Sequence, residues 1–177
     1  MKYDKNQVHY VTATVILVKD GKFLIAKRAD WEKAFPGKWT VPGGKLEVLD
    51  YVLREKDTSV QWYNVLEDLA KKEVFEEVGL EMKKVEYVTS LVYIRPDNIP
   101  SLIISLWAEP VGDNVRLCKA LTDYKWVDIH EAKNYDLIDG IYEELEMLDR
   151  KLCRSAYPKD LNEGTKEGKM GEWSKNL

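Results

Sequence analysis

Lys72-Glu73-Val74-Phe75-Glu76-Glu77-Val78-Gly79-Leu80, preceded by Pro42-Gly43-Gly44-Lys45-Leu46-Glu47, is the stretch on which the fold turns. Glu73, Glu76 and Glu77 stand at i, i+3 and i+4, so on a helix they leave from one face. Three like charges in one turn repel, and helix propensity gives no reason to gather them unless a hard cation compensates. Carboxylate oxygens suit Mg²⁺ or Mn²⁺. A solvated acidic strip is the ordinary fate of a Glu-rich segment, but the glycine pair upstream sets this one apart. Leu66, Ala70, Val74 and Val78 form an apolar row at i+4 spacing. Glu73 and Glu77 lie beside that row, at the margin where the helix would meet a sheet.

Working outward, Val8 to Val18 is rich in Val, Thr and Ile, and Lys22 to Arg28 continues it after Asp20-Gly21, a dipeptide suited to a tight hairpin turn. Ala29 to Lys38, with Pro36 and Gly37, reads as a loop that delivers Trp39 to Pro42 into the glycine turn. Thr58 and Gln61 have the spacing of a capping box, predicting a helix from there to about Val78 that stops at Gly79. Val85 to Arg95, Leu102 to Glu109 and Asp123 to Val127 read as strands. Ile129 to Lys133 reads as a short helix and Ile138 to Leu152 as a long one, with apolar positions at Ile141, Leu145, Leu148 and Leu152. Strands with helices before and after them predict an α/β layer arrangement. The polar segment from residue 158 to 177 reads as a tail, leaving 1–157 as one domain.

With 45% hydrophobic residues the chain has ample material for a core. Its net charge of −4 opposes binding of a long nucleic acid or a highly phosphorylated inositol, and leaves small nucleotides open. Two cysteines, Cys118 and Cys153, without a CxxC, argue against a disulfide framework or a zinc site. No apolar run reaches the roughly 18 residues of a membrane span, and the first residues lack a signal-peptide core. The expectation is a soluble cytoplasmic protein without membrane partners. The sequence does not set its oligomeric state, and a homodimer is compatible with it.

The quoted stretch resembles the signature of the Nudix hydrolase family, G-x5-E-x7-R-E-U-x-E-E-x-G-U with U aliphatic. Glu73, Glu76 and Glu77 fall on its three helix glutamates, Val74 and Leu80 on its aliphatic positions, Gly79 on the closing glycine and Gly44 on the opening one. Two departures stand out. The family arginine is Lys72, which keeps the charge but not the planar fork. And 27 residues separate Gly44 from Lys72 where the pattern has 13, so 14 extra residues interrupt the signature. The first glutamate of the pattern would be Asp50 counting forward, or Asn64 counting back.

The resemblance implies the Nudix fold, an α/β/α sandwich around a mixed β-sheet, over approximately Val8 to Leu152. It also implies hydrolysis of a pyrophosphate linkage in a small nucleotide. Glu73, Glu76 and Glu77, with the backbone carbonyl of Gly43, would hold Mg²⁺, with Mn²⁺ as a substitute. Lys72 would orient them through an i+4 pair with Glu76, while Arg28, Trp39, Gly44, Lys45 and Glu47 would lie along the substrate. A further acid from the loop before the Trp126 strand, Asp113 or Asp123, is expected as ligand or base. The run from Ala34 to Gly44 is similar to that of MutT-type enzymes, favouring a nucleoside triphosphate or a nucleoside diphosphate derivative. The alternative is a catalytically weak, nucleotide-sensing Nudix-like module. The inserted segment, roughly Val48 to Tyr63, carries Tyr51, Trp62, Tyr63, Arg54 and Lys56 and is expected to line the cleft as a rim or lid, or else to pack its aromatics on the domain.

Overall fold

The structure, a computed structural model, describes residues 7–156. The expected polar tail and the first residues of the chain lie outside them. Runs of four consecutive buried side chains, Val15 to Val18 in Tyr10–Lys19 (β1) and Phe23 to Ala26 in Lys22–Arg28 (β2), make two central strands joined by Asp20-Gly21, both at positive φ. The other elements are Trp39–Thr40 (β3), Gly43–Lys45 (β4), Leu49–Val52 (α1), Val65–Val78 (α2), Glu81–Met82 (β5), Glu86–Ile94 (β6), Pro100–Ala108 (β7), Pro110–Val111 (β8), Leu121–Val127 (β9), Ile129–Ala132 (α3) and Ile141–Ala156 (α4).

One seven-stranded sheet runs β3-β2-β1-β7-β6, with β4 added to the first half of β1 and β9 to β2. β1 and β7 are parallel and the other pairs antiparallel, so the sheet is mixed. β5 and β8 form a separate two-stranded ribbon. α2 covers one face: Leu69, Ala70, Val74 and Val78 pack with Ala13, Val15, Leu17, Leu24 and Leu106. α4 covers the other through Ile141, Leu145 and Leu148, packed with Ile16, Phe23, Ile25 and Val127. This is the α/β/α sandwich.

The helix expected from Thr58 begins instead at Val65, after Asn64 in the left-handed conformation at φ 56°. Thr58 and Gln61 do bond to each other's groups, with Gln61 N–H donating to Thr58 Oγ1 at 3.1 Å, but they close a turn rather than cap a helix. The inserted residues satisfy one another. Tyr51 and Trp62 rings meet at 5.2 Å, Trp62 Nε1 donates to the Arg54 carbonyl at 3.2 Å, and Arg54 donates to the Tyr63 carbonyl. Arg54 also pairs with Asp68 on α2 at 3.4 Å, and Lys56 lies over the Trp62 ring. The side chains expected to form a stacking wall are largely engaged within the segment and with α2. α2 ends at Gly79, φ 68°, whose N–H returns to the Phe75 carbonyl.

Candidate active site

The two glycines bring the carboxylates to the sheet. In the β1–β4 pairing Gly43 lies opposite Thr14 and Gly44 opposite Ala13. Gly43 N–H donates to Glu77 Oε2 at 3.0 Å. A Cβ on Gly44 would overlap the Glu73 carboxyl group, and one on Gly43 would overlap the Ala13 carbonyl oxygen. Glycine is therefore required at 44 because a side chain would occupy the seat of Glu73, and at 43 because the neighbouring backbone leaves no room.

Burial gives Glu73 and Glu77 unusual protonation behaviour. Withdrawal from water pushes the Glu77 carboxyl up from its ordinary 4.5 to about 7; the Gly43 N–H opposes this shift, and the Glu73 charge adds to it. Glu73 is raised for the same reason, with Lys72 pulling the other way. Glu76 stands apart, its side chain 58% exposed.

Lys72 makes the expected i+4 pair with Glu76 only as the longest of three. Its Nζ lies 2.9 Å from Asp50 Oδ1 and 3.4 Å from Glu73, but 4.0 Å from Glu76. Asp50 in turn accepts the Glu47 N–H at 2.7 Å. Burial would raise Asp50, but the Glu47 N–H and Lys72 outweigh it and hold its carboxyl below the ordinary value. The hydrogen bond to Asp50 raises Lys72. The forward count from Gly44 was thus the productive one: Asp50 is the acid that ties the glycine loop to α2, and the extra residues follow it. Glu47 is exposed and contributes its backbone to that tie.

Trp39 is a second correction. It is 9% exposed and belongs to the α4-side core, edge-on to Tyr135 at 4.8 Å, so packing rather than substrate contact accounts for it. Arg28 is near enough to Glu77 to stabilise its charge. Its guanidinium is committed to the following loop, to the Ala34 carbonyl at 2.7 Å and Glu32 at 3.0 Å. Lys45 is exposed over the Tyr10 ring, 5.4 Å from its centroid. Neither expected later acid joins the cluster: Asp113 pairs with Lys19 at the far end of β1, and Asp123 with Lys125 at 3.6 Å. Glu32, which sequence reasoning passed over, lies within electrostatic reach of Glu77; no motif position singled it out.

Among the described residues no three His, Cys, Asp or Glu side chains already converge as a metal-binding group. Glu73 and Glu77 lie at the glycine pair, whereas the Glu76 side chain is exposed. The donor set itself suits a hard divalent ion: two part-buried carboxylates beneath a glycine pair, and a third on an exposed, unpacked side chain of the same helix turn.

The NUDIX domain family model matches residues 8–147, and the chain belongs to the Nudix family. It is 23% identical over 132 residues to the nucleoside triphosphatase NudI of Escherichia coli K12, covering 69% of this chain and 84% of that protein. A MutT NUDIX hydrolase from Burkholderia pseudomallei superposes with a TM-score of 0.64 at 18% identity, over 80% of this chain and 99% of that one. The NUDIX domain of Shewanella oneidensis NrtR, solved with ADP ribose, superposes with a TM-score of 0.65 at 17% identity, over 85% and 94%. The chain is thus a Nudix pyrophosphohydrolase, of a family that generally uses divalent metal ions.

Two predictions come from this geometry. Gly44→Ala should leave the protein folded, since the displaced group is the mobile end of Glu73, yet lower turnover by about 100-fold through misplacement of that carboxylate. Gly43→Ala should instead lower the melting temperature, because backbone must move. Melting curves and turnover of both variants separate the two effects.

The second concerns pH. Below 4.5 Glu77 is protonated in folded and unfolded chains alike, whereas above about 7 the fold must hold a buried charge that the unfolded chain carries in water. Stability of the metal-free protein should therefore be highest on the acid side of this window and fall by about 3 kcal/mol across it on account of Glu77 alone. Glu77→Gln should flatten that fall in thermal melts between pH 5 and 8. An identical pH dependence in the variant would assign the effect to other groups.

Proposed function

We propose that this protein is a Mg²⁺-dependent hydrolase, with Mn²⁺ as a substitute, that opens the pyrophosphate linkage of a nucleoside triphosphate or a nucleoside diphosphate derivative. The observation that carries the reading is the seating of Glu73 and Glu77 beneath Gly43 and Gly44, with Glu77 held by the Gly43 N–H at 3.0 Å. The substrate class is supported by the NudI relative, a nucleoside triphosphatase.

Glu73, Glu76 and Glu77 would hold the ion, together with the Gly43 carbonyl. When bound, it neutralises phosphate oxygens and lowers the pKa of a water. The residues of this chain then do the rest. Gly43 and Gly44 admit the anhydride close to the backbone. The Asp50–Lys72 pair holds the glycine loop against α2, and Lys72 offsets part of the negative charge on Glu73. Water adds at phosphorus and the anhydride oxygen departs with the other phosphoryl group. With Asp50 in place of the signature's first acid, one argument for a catalytically weak sensing module is gone.

Release of phosphate or pyrophosphate from a panel of nucleotides in Mg²⁺ tests the reading. Glu77→Gln, and nearly as strongly Glu76→Gln, should lower kcat by orders of magnitude with the fold intact. Mg²⁺ should raise the melting temperature of the parent protein by mass action. It should do nothing to a variant in which Glu73, Glu76 and Glu77 are all Gln; a persisting shift there would place the ion elsewhere.

A further inference from the structure

β6 ends the sheet, with β7 on one side and, among the described residues, no strand on the other. From Tyr87 to Ile94 it reads Tyr-Val-Thr-Ser-Leu-Val-Tyr-Ile, without a charge, a glycine or a proline and rich in β-branched and aromatic residues. Tyr87, Val92, Tyr93 and Ile94 are exposed, Val92 and Ile94 over more than half of their surface at 53% and 59%. An uncharged apolar edge is a template for a further strand, and a protein that leaves such an edge open blunts it with a bulge, a lysine, a proline or a covering segment.

β6 is blunted over one half only. Near its start the ladder to β7 is irregular between Tyr87 and Thr89, and Lys151 of α4 donates to the Tyr87 carbonyl at 2.9 Å. Past Thr89 neither device recurs among the described residues. The turn that ends β6 fixes where the backbone groups of this bare half point. Arg95 N–H donates to the Ile99 carbonyl at 3.4 Å, so those two residues form a hydrogen-bonded pair, while Ile94 lies opposite Pro100, which has no N–H to give. The two kinds of pair alternate along an antiparallel ladder, and the register is continuous from Ile94 back to Thr89. Ser90, Val92 and Ile94 therefore turn their N–H and C=O groups away from β7.

We propose that this half of β6 is a self-association edge, at which two copies of the chain pair antiparallel about a two-fold axis through Val92 and join their sheets. The proposal stands apart from the hydrolase reading. Val92 opposite its own copy sets Ser90 opposite Ile94, so every outward N–H and C=O of the bare half finds a partner, about six hydrogen bonds in all. The same register sets Leu91 opposite Tyr93 twice, at the closer spacing where aromatic and aliphatic side chains stabilise a strand pair. The absence of charge from Tyr87 to Ile94 lets a chain of net charge −4 approach its copy here without like charges face to face. Tyr93 also meets Phe35 at 6.2 Å, in the loop whose Ala34 carbonyl holds Arg28, so pairing would brace that loop beside the candidate active site. Half a strand covers less than the about 1,600 Å² of a standard interface, and the pair should dissociate on dilution.

Sedimentation velocity of the full chain at concentrations up to about 1 mM tests the proposal and should show a monomer–dimer equilibrium. Hydrogen exchange at the Ser90, Val92 and Ile94 amides should slow as concentration rises. Val92→Pro deletes an N–H that β7 does not use, and Val92→Lys sets two like charges on the axis. Each should weaken dimerisation about tenfold or more, with the melting temperature of the dilute chain little changed in Val92→Lys. Leu53→Lys, at an exposed apolar residue of the inserted segment, should leave the dimer intact. A chain that stays monomeric throughout, or a dimer that survives Val92→Lys, overturns the proposal. So does amide protection that is independent of concentration, which would mean that the same chain covers the edge.

Discussion

The arrangement depends on one contact that a side chain would destroy: the approach of α2 to a strand made of two glycines. Gly43 donates its N–H to Glu77, and Gly44 leaves the space that the Glu73 carboxyl fills. The same glycines pair with Ala13 and Thr14 of the central strand, so the position of the carboxylates is set by the sheet rather than by a loop. α2 is in turn fixed by Val74 and Val78, fully buried next to the two acids. A rigid scaffold beneath a charged cluster is what metal-assisted chemistry requires, since carboxylates on a mobile segment would reorganise at each turnover.

That geometry works against the stability of the metal-free chain. Burial raises both Glu73 and Glu77, and one N–H and one lysine offset only part of it. Glu144, on the opposite face of the sheet, is raised by burial as well. The fold therefore holds carboxyl groups of reduced acidity on both faces of the same sheet. Stabilised active sites commonly show this conflict between local stability and function.

Much of the architecture was legible because it rests on short-range signals. The hairpin at Asp20-Gly21, the apolar row of α2, the closing Gly79 and the stripe of α4 each follow from periodicity or turn chemistry; of the three helix acids, Glu73 and Glu77 lie against the glycine pair and Glu76 faces solvent. What failed was non-local. Thr58 and Gln61 carry a capping pattern, but Asp57, which accepts the Tyr63 N–H, and the Tyr51–Trp62 contact close the segment on itself before a helix can start. Trp39 looked like a substrate residue because it precedes the glycines, yet strand pairing turns it into the core against Tyr135. The partner of Lys72 depended on where the extra residues enter, and only Asp50 at 2.9 Å decides that. The ribbon of β5 and β8 is two residues wide on each side and leaves no period to read.

The central claim is that the divalent ion is held by the α2 carboxylates against the glycine turn. Paramagnetic line broadening by substoichiometric Mn²⁺, read in the amide spectrum of the intact protein, tests it most directly. The account predicts that the amide signals of Gly43, Gly44 and residues 73–77 broaden first, and that excess Mg²⁺ restores them. Broadening that begins elsewhere, with those signals unaffected, would contradict it.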